Sequence, residues 1–389
     1  MKDIIPYSRQ EITQSDIKSV SDVLSSDLLT QGPRLIQFEK LLCELLNVKY
    51  AIACSSGTAA LHLAYAGSGA RQGSLSIVPA VTFSATANAM LYCGGDIHFC
   101  DVDPKNGLIC PASLQSTIRN QKQNNSKAQR FIAPVSLSGA TAPLDHCSEI
   151  AKRFGYKLIE DASHSIVSYG VNTSGNKIFS ASCKYTESAC LSFHPVKQLC
   201  CGEGGAVLTN SKNLADKITR MRSHGMIRPN PPSHSTPWYY EQIELGWNYR
   251  LNEMQAALGC AQIRRIRTGV KRRKELAKRY NVALKQKPFK GNLSLPLHDD
   301  GHSLHLYVIH LSSSKLRDEL HKFLKSKGIM TQVHYIPLYK HPFFKRIVGD
   351  IKLPGAEEYY KGCLSIPLFP SMSHSDQDRV IETMTSFFS

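Results

Sequence analysis

Short runs of apolar residues alternate with helical segments through the first half of the chain. Apolar runs typical of buried strands lie at 50–54, 76–78, 97–99, 130–135 and 156–161. Segments with helical character lie between them, for example at 59–66 and 147–154. Buried strands separated by helices predict an α/β fold with one large sheet and helices on both of its faces.

The last third of the chain carries a different pattern. Apolar residues at helical spacing, such as Met254 and Leu258, predict one long helix from 252 to 284. Two further strands and a closing helix are predicted at 304–311, 330–335 and 375–388. Because 389 residues exceed the usual size of one domain, we expect a large domain over 1–250 and a smaller α/β domain over 251–389 that begins with the long helix.

An uncharged stretch at 72–95 raises the question of a membrane span. A helical span needs about 20 predominantly apolar residues, and Pro79, Thr82 and Asn88 interrupt this one. A buried strand, a loop and a buried helix are the better interpretation. Residues 1–7 contain no apolar run of the kind that begins a signal peptide. We therefore expect a cytoplasmic protein without a membrane partner.

The chain is strongly basic, with a formal net charge of +16. Such a balance suits nucleic acid, an acidic membrane surface or an anionic substrate. The densest basic block, at 264–274, is predicted to be the solvated face of a helix. Because no zinc finger, RNA-binding sheet motif or helix-turn-helix accompanies it, we expect no nucleic-acid partner.

Twelve cysteines are scattered along the chain. None of them forms a Cys-x-x-Cys pair, and no secretory signal accompanies them. The pattern therefore predicts reduced cysteines that act as small buried residues, and it predicts no metal site.

The first candidate for chemistry is Lys197. It lies between the apolar run 189–191 and a glycine-rich turn at 202–205 that leads into another apolar run. A lysine usually points into solvent, but one in this setting can be partly desolvated. Desolvation lowers the pKa of a lysine and favours imine chemistry with a carbonyl.

A lysine that binds pyridoxal 5′-phosphate needs three further groups: a carboxylate, a phosphate cradle and a stacking partner. Asp161 ends a predicted strand, where it can meet the pyridine nitrogen, although it also fits ordinary loop acidity. Gly57 and Thr58 lie where a strand turns into a helix, so their backbone amides can hold a phosphate. Phe83 is the stacking candidate, although by itself it would be interpreted as a core residue.

These residues belong to tracts that recur in one protein family. The tracts are 29–33, 56–61, 79–88, 160–164, 192–197, 222–226, 248–253, 333–338 and 364–367. In this order and spacing they resemble the sugar aminotransferases of the DegT/DnrJ/EryC1/StrS family, which are fold-type I pyridoxal-phosphate enzymes. The resemblance implies a large mixed-sheet domain followed by a smaller C-terminal α/β domain.

The resemblance also implies roles at the cofactor ring. Lys197 would carry pyridoxal phosphate as a Schiff base and would later shuttle a proton between donor and cofactor. Asp161 would pair with the pyridine nitrogen, and His164 would lie near the phenolic oxygen. Phe83 would stack on the ring.

The cofactor phosphate would have ligands from two subunits. Ser192 and the amides of Gly57 and Thr58 would bind it from one chain. Asn248 would reach it from the neighbouring chain. The resemblance therefore implies a homodimer with shared active sites.

The substrates implied are L-glutamate and a nucleotide-linked keto sugar, with His334 and Tyr335 lying towards the sugar. The cofactor would alternate with pyridoxamine phosphate. The tracts at 222–226 and 332–335 are most similar to those of members that aminate C4 of a UDP-linked 4-keto-6-deoxy-N-acetyl-hexosamine for pseudaminic acid or related surface glycans. Members acting on dTDP- or GDP-linked keto sugars share these motifs and stay as alternatives.

Two other functions are compatible with this fold. Sugar 3-dehydratases of the same family have a histidine in place of the lysine, so Lys197 argues against them. A regulatory or binding protein without turnover would have no need of the lysine, the aspartate and the phosphate cradle together. Salt-sensitive DNA binding without cofactor would favour that alternative.

Overall fold

The computed structural model describes residues 4–121, 128–228, 238–296 and 298–389. The helices are α1 (Gln14–Leu24), α2 (Pro33–Leu46), α3 (Gly57–Gly67), α4 (Ala85–Tyr92), α5 (Pro111–Arg119), α6 (Leu144–Phe154), α7 (Lys212–Met221), α8 (Glu253–Ile263), α9 (Ile266–Ala283), α10 (Ser314–Ser326), α11 (Pro342–Val348), α12 (Pro354–Gly362) and α13 (His374–Phe388), with a 3₁₀ turn at Leu338–Lys340. The strands are β1 (Tyr50–Cys54), β2 (Leu75–Pro79), β3 (Asp96–Cys100), β4 (Arg130–Ile132), β5 (Lys157–Asp161), β6 (Tyr169–Val171), β7 (Lys177–Phe179), β8 (Ser188–Ser192), β9 (Gly205–Thr209), β10 (Met226–Ile227), β11 (Glu241–Gln242), β12 (Leu293–Ser294), β13 (Tyr307–Leu311) and β14 (Cys363–Ile366).

Seven of the described strands form one mixed sheet in the order β1-β9-β8-β5-β4-β2-β3. From β3 to β8 the neighbours are parallel. Strand β9 is antiparallel to both β8 and β1, so β1 runs in the same direction as β5 and β8. The sheet confirms the predicted α/β class.

Residues of each strand alternate between two buried faces of this sheet. In β1, Ile52 and Cys54 face a core that contains α3 and α4, whereas Ala51 and Ala53 face a core that contains α2 and α8. At the other end of the sheet, the second face is covered by α5 and α6. Helices therefore cover both faces of the sheet. Because both faces are buried, the strands are continuous runs of apolar residues.

A smaller sheet forms from three of the described strands, in the order β12-β13-β14 and with antiparallel pairing. Its core combines residues of β13 and β14 with residues of α9, α10 and α13. Ile5 from the N-terminal segment joins the same core and pairs with Ile329. The domain boundary at 250 stays a prediction.

Two predicted elements differ from the structure. The single long helix over 252–284 is wrong: α8 and α9 are separate helices that break at Arg264 and Arg265. Arg265 leaves the helical path and its guanidinium binds Glu11 and Asp16 at 2.9 and 2.5 Å. The predicted strand over 330–335 is reduced to one bridge, between Gln332 and Ser365.

The basic block around this break is only partly a solvated face. Arg264, Arg267 and Lys271 are exposed, as predicted. Arg273, in contrast, is buried, and its Nη1 donates to the carbonyls of Leu304, His305 and Leu368. Several of the positive charges therefore stabilise tertiary structure.

The twelve cysteines are free thiols, and most of them are buried. Within the described ranges, no helix is long and apolar enough to cross a membrane. The uncharged stretch at 72–95 folds as β2, a loop and α4, which confirms the predicted order of elements. No cluster of side chains that could hold a metal ion occurs in the part of the chain that the structure describes.

Candidate active site

Three predicted site residues meet because their strands run in the same direction. Asp161 is the last residue of β5, Ser192 is the last residue of β8, and Gly57 follows β1. The carboxyl ends of such strands share one edge of the sheet, where α/β proteins bind ligands. The candidate site lies at this edge.

The predicted phosphate cradle forms at the N-terminus of α3. The side chain of Ser56 accepts a hydrogen bond from the amide of Ala59. The amides of Gly57 and Thr58 therefore remain for an anion, which the helix dipole also favours. A Cβ atom on Gly57 would lie 2.8 Å from the Cβ of Ser192. Only glycine allows the serine to approach this closely.

Asp161 is buried and oriented by two hydrogen bonds. Its Oδ2 accepts from the hydroxyl of Thr86 at 2.7 Å, and its Oδ1 accepts from the amide of Ser163 at 3.1 Å. The hydroxyl of Thr82 lies 2.8 Å from that of Thr86. The sequence prediction missed Thr86, although two threonines four residues apart in an otherwise largely apolar stretch were an available signal.

Lys197 lies on the turn that follows β8 and is half-buried. Burial lowers the pKa of its amine to about 8, and the negative charge of Asp161 opposes that shift. A lysine with this pKa has a sizeable neutral fraction near pH 7. The charge of the predicted carboxylate therefore acts on the predicted amine.

His164 is buried and held on both ring nitrogens. The amide of Ser138 donates to its Nδ1 at 3.4 Å, and the hydroxyl of Tyr335 lies 3.3 Å from its Nε2. Because Nδ1 accepts a hydrogen bond, the proton is at Nε2. Burial, together with the positive charge of Lys197, holds the pKa of His164 well below its usual range.

The other predicted residues of the small domain lie beside this histidine. Nδ1 of His334 lies 2.7 Å from the hydroxyl of Ser365, and burial lowers the pKa of His334 to about 3. The ring of Phe83 lies 6.1 Å from that of Tyr335 and is 58% exposed. One face of this phenylalanine is therefore free to stack on a planar ligand.

Two residues that the sequence prediction missed connect these groups. The side-chain amide of Gln198 donates to the carbonyl of His164 at 3.1 Å and to the hydroxyl of Ser303 at 2.8 Å. His305 is buried, and its ring centroid lies 4.3 Å from that of His164. The histidine-rich stretch before β13 was the available signal for His305.

Asn248 lies one residue before Tyr249, whose carbonyl accepts from the amide of Ser55 at 2.8 Å, close to the predicted phosphate cradle. Its side chain is exposed, and its backbone forms a bridge with Ser223. No hydrogen bond among the described residues connects it to the predicted phosphate ligands. Its predicted action on a neighbouring subunit's site stays a prediction.

The arrangement fits pyridoxal phosphate. The cradle suits a phosphate, Phe83 offers a ring face, and the negative charge of Asp161 acts on the pKa of Lys197. One buried polar atom near His164, Oε1 of Gln198, has no hydrogen-bond partner among the described residues. Buried polar atoms usually have partners, so this atom is suited to a polar ligand.

Known proteins are similar to this sequence over almost its whole length. Residues 10–385 match the DegT/DnrJ/EryC1/StrS aminotransferase family. The chain is 34% identical over 385 residues to the UDP-4-amino-4,6-dideoxy-N-acetyl-beta-L-altrosamine transaminase of Campylobacter jejuni subsp. jejuni serotype O:2, covering 98% of this chain and 97% of the relative. It is 35% identical to the spore coat polysaccharide biosynthesis protein SpsC of Bacillus subtilis, covering 98% and 96%.

A solved structure shares the fold as well. Helicobacter pylori PseC, described as an aminotransferase involved in the biosynthesis of pseudoaminic acid, superposes with a TM-score of 0.87. Its sequence is 28% identical, and the match covers 99% of both chains. This chain therefore belongs to the DegT/DnrJ/EryC1/StrS aminotransferase family, whose members use pyridoxal phosphate.

Proposed function

We propose that this chain moves the amino group of L-glutamate to C4 of a UDP-linked 4-keto-6-deoxy-N-acetyl-hexosamine. The observation that carries the chemistry is the half-buried Lys197, with a lowered pKa, beside Asp161 at the carboxyl edge of the sheet. The substrate is supported by the whole-length similarity to the Campylobacter altrosamine transaminase and to Helicobacter PseC.

In this proposal Lys197 moves the proton. When bound, pyridoxal phosphate supplies an aldehyde that takes up amino groups and a ring that accepts electrons. The neutral Nζ of Lys197 takes the proton from the α-carbon of glutamate and later delivers a proton to C4 of the sugar. A pKa near 8 suits both directions, because about a tenth of the lysine is then neutral at pH 7 and both protonation states are populated.

The neighbouring residues hold the reactants. Asp161, fixed by Thr86, would pair with the pyridine nitrogen and keep it protonated. His164 would donate its Nε2 proton to the phenolic oxygen. Gly57 and Ser192 would hold the phosphate. Fixed hydrogen-bond groups of this kind stabilise charge without reorganising during the reaction.

His334 and Tyr335 would face the sugar nucleotide from the small domain. Both side chains are neutral, because burial lowers the pKa of His334 to about 3 and raises that of Tyr335. Neutral donors and acceptors can bind sugar hydroxyl and keto groups without adding charge beside Lys197. These residues are therefore suited to orienting C4 rather than to transferring its proton.

The substrate is tested by a panel of UDP-, dTDP- and GDP-linked 4-keto sugars with L-glutamate as donor. Product is measured as amino sugar and 2-oxoglutarate, and the aminated carbon is assigned by NMR. We expect the UDP-linked N-acetyl-hexosamine to give a kcat/KM at least about tenfold above the others. Lys197→Ala is the control. A preference for a dTDP- or GDP-linked sugar would contradict the proposed substrate.

A different nucleotide sugar is the second candidate, and one observation favours it. SpsC of Bacillus subtilis is 35% identical to this chain, as similar as the altrosamine transaminase. SpsC is named as a protein of spore coat polysaccharide biosynthesis. The same substrate panel separates the two candidates.

We also propose that the enzyme is a homodimer with shared active sites. Asn248 is exposed, and the segment just before it carries large exposed apolar side chains, with Trp238 76%, Ile243 52% and Leu245 75% exposed. Apolar residues clustered on a surface mark contacts with other proteins. A second copy that covers them would bring Asn248 to its partner's phosphate cradle.

Subunit mixing tests this arrangement. Lys197→Ala and Asn248→Ala are each prepared, unfolded together and reassembled. If the two residues serve one site from different subunits, each mixed dimer contains one intact site, and about a quarter of the wild-type activity returns. No recovery would show that both residues serve the site of their own subunit.

A further inference from the structure

The ring of His305 covers one face of the ring of His164. The two centroids are 4.3 Å apart and the planes are inclined by 42°. Both side chains are buried, with 2% of His305 and 6% of His164 exposed. His305 belongs to the loop before β13 and His164 to the loop after β5, so this contact joins the small sheet to the large one.

The loop that carries His305, between β12 and β13, is held by hydrogen bonds from several parts of the chain. Nη1 of the buried Arg273 donates to the carbonyls of His305 and Leu304 at 3.1 and 3.3 Å. The amide of Ser303 donates to the carbonyl of Gly139 at 2.9 Å. A Cβ atom on Gly139 would lie 2.6 Å from the nitrogen of Leu304, and Gly139 has a φ of +107°, so only glycine fits there.

The same loop also holds the other side of His164. The carbonyl of Ser138 accepts from the amide of Leu306 at 3.1 Å, while the amide of Ser138 donates to Nδ1 of His164. Gln198, next to Lys197, bridges the carbonyl of His164 and the hydroxyl of Ser303. One loop of the small domain therefore constrains both the ring plane and the backbone of His164.

The groups around the two rings keep them neutral. Lys197, Arg273 and His334 lie near His305, and Lys197 and His334 lie near His164. Burial and these neighbours hold the pKa of both histidines well below its usual range. With Nδ1 of His164 accepting from Ser138, its proton stays on Nε2.

We infer that His305 is a positioning residue, whose ring fixes the plane of His164 so that its Nε2–H, which lies 3.3 Å from the hydroxyl of Tyr335, can also reach the phenolic oxygen of a bound cofactor. The inference rests on the proposed function, which places that oxygen beside His164. Nδ1 of His305 has no hydrogen-bond partner among the described residues. The surface of the ring, and not its nitrogen, is therefore what acts on His164.

The test is a pH titration of the visible absorption band of the cofactor-loaded protein, for the wild type and for His305→Leu and His305→Phe. A hydrogen bond to the phenolic oxygen favours loss of the proton that this oxygen shares with the Lys197 nitrogen, because it stabilises the anionic oxygen. We expect His305→Leu to raise the midpoint by about half a pH unit or more. His305→Phe, which keeps the ring, should restore the wild-type midpoint.

His298→Leu is the matched control. His298 stacks on His302 of the same loop, with centroids 4.6 Å apart, and not on His164. It should leave the midpoint unchanged even if the melting temperature falls. An unchanged midpoint in His305→Leu, or an equal shift in His305→Phe, would overturn the inference. If wild-type protein shows no visible band, the proposed function fails first, and this inference fails with it.

If His305→Leu does not fold, His305→Met takes its place as the variant without a ring. A raised midpoint in His305→Met together with a wild-type midpoint in His305→Phe supports positioning by the ring, and an unchanged midpoint in His305→Met contradicts it. The kinetic constants give a second readout. A looser His164 should lower kcat by about three- to tenfold in His305→Leu while KM for glutamate changes little, because the hydrogen bond acts on the cofactor and not on substrate binding.

Discussion

The two sides of the active site differ in charge. The large sheet supplies an anion and a basic amine, Asp161 and Lys197, at the ends of neighbouring strands. The small domain supplies His305, His334 and Tyr335, which burial keeps neutral. In the proposed mechanism, proton transfer and charge stabilisation therefore lie on one side of the site, while orientation of the substrate lies on the other. Substitutions on the two sides should therefore affect activity to very different extents.

Asp161→Asn should lower activity more than the substitutions Glu160→Gln and Tyr335→Phe. It removes the negative charge proposed to hold the pyridine nitrogen protonated, while it keeps the side-chain shape. We expect kcat/KM to fall by about 10²- to 10³-fold with little change in melting temperature. Steady-state kinetics of cofactor-saturated protein provides the measurement.

The adjacent Glu160 is the matched control. It points to the opposite face of β5, is fully buried and accepts hydrogen bonds from the hydroxyls of Ser136 and Ser180 and from the amide of Ala181. Glu160→Gln should cost about 1–3 kcal/mol of the free energy of unfolding, since an amide donor then faces the amide of Ala181. The activity of the folded fraction should stay within threefold or so. Equal activity losses in both variants would contradict the division of roles.

The pH dependence of cofactor attachment tests the amine directly. Only neutral Lys197 can attack the aldehyde, and burial lowers its pKa from the usual value of 10.5 to about 8. Attachment to cofactor-free protein should therefore speed up as pH rises, by about tenfold between pH 7 and pH 9, and then level off. Stopped-flow absorbance measures the rate. A rate that still rises tenfold per unit above pH 9 would indicate an ordinary, solvated lysine.

Tyr335→Phe should cause a smaller loss of activity than Asp161→Asn. It removes one hydroxyl that lies 3.3 Å from Nε2 of His164 and leaves the ring beside Phe83. One neutral hydrogen bond contributes about 0.5–1.5 kcal/mol, so kcat/KM should fall by about three- to tenfold. A loss as large as that of Asp161→Asn would mean that Tyr335 takes part in the chemistry.

Asp161 and Gly57, on the large-sheet side of the site, could be predicted from the sequence because each follows from a local pattern. Asp161 ends an apolar run, and Gly57 begins a helix after one. Because the two strands, β5 and β1, run in the same direction, their carboxyl ends lie at the same edge of the sheet. Such local patterns predict the position of a site residue in the fold, because a residue at the carboxyl end of a strand lies at the edge of the sheet where ligands bind. Ser192, in contrast, is expected only from the resemblance to the family.

The position of His305, on the small-domain side of the site, could not be predicted in the same way. His305 reaches His164 only because Arg273, Gly139 and Gln198 hold its loop from three other parts of the chain. The break between α8 and α9 has the same kind of cause, as Arg265 binds Asp16 far away in sequence. Helical periodicity continued across that break, so the sequence pattern alone predicted one helix.

The central claim is that Lys197 carries the cofactor and exchanges it with glutamate. It is tested most directly by the visible absorbance of the purified, cofactor-loaded protein before and after L-glutamate is added, beside Lys197→Ala. We predict a visible band that glutamate bleaches in the wild type, with one 2-oxoglutarate released per site, and the absence of that band in the variant. Cofactor-saturated wild-type protein that shows no band, or a band that glutamate leaves unchanged, would contradict the account.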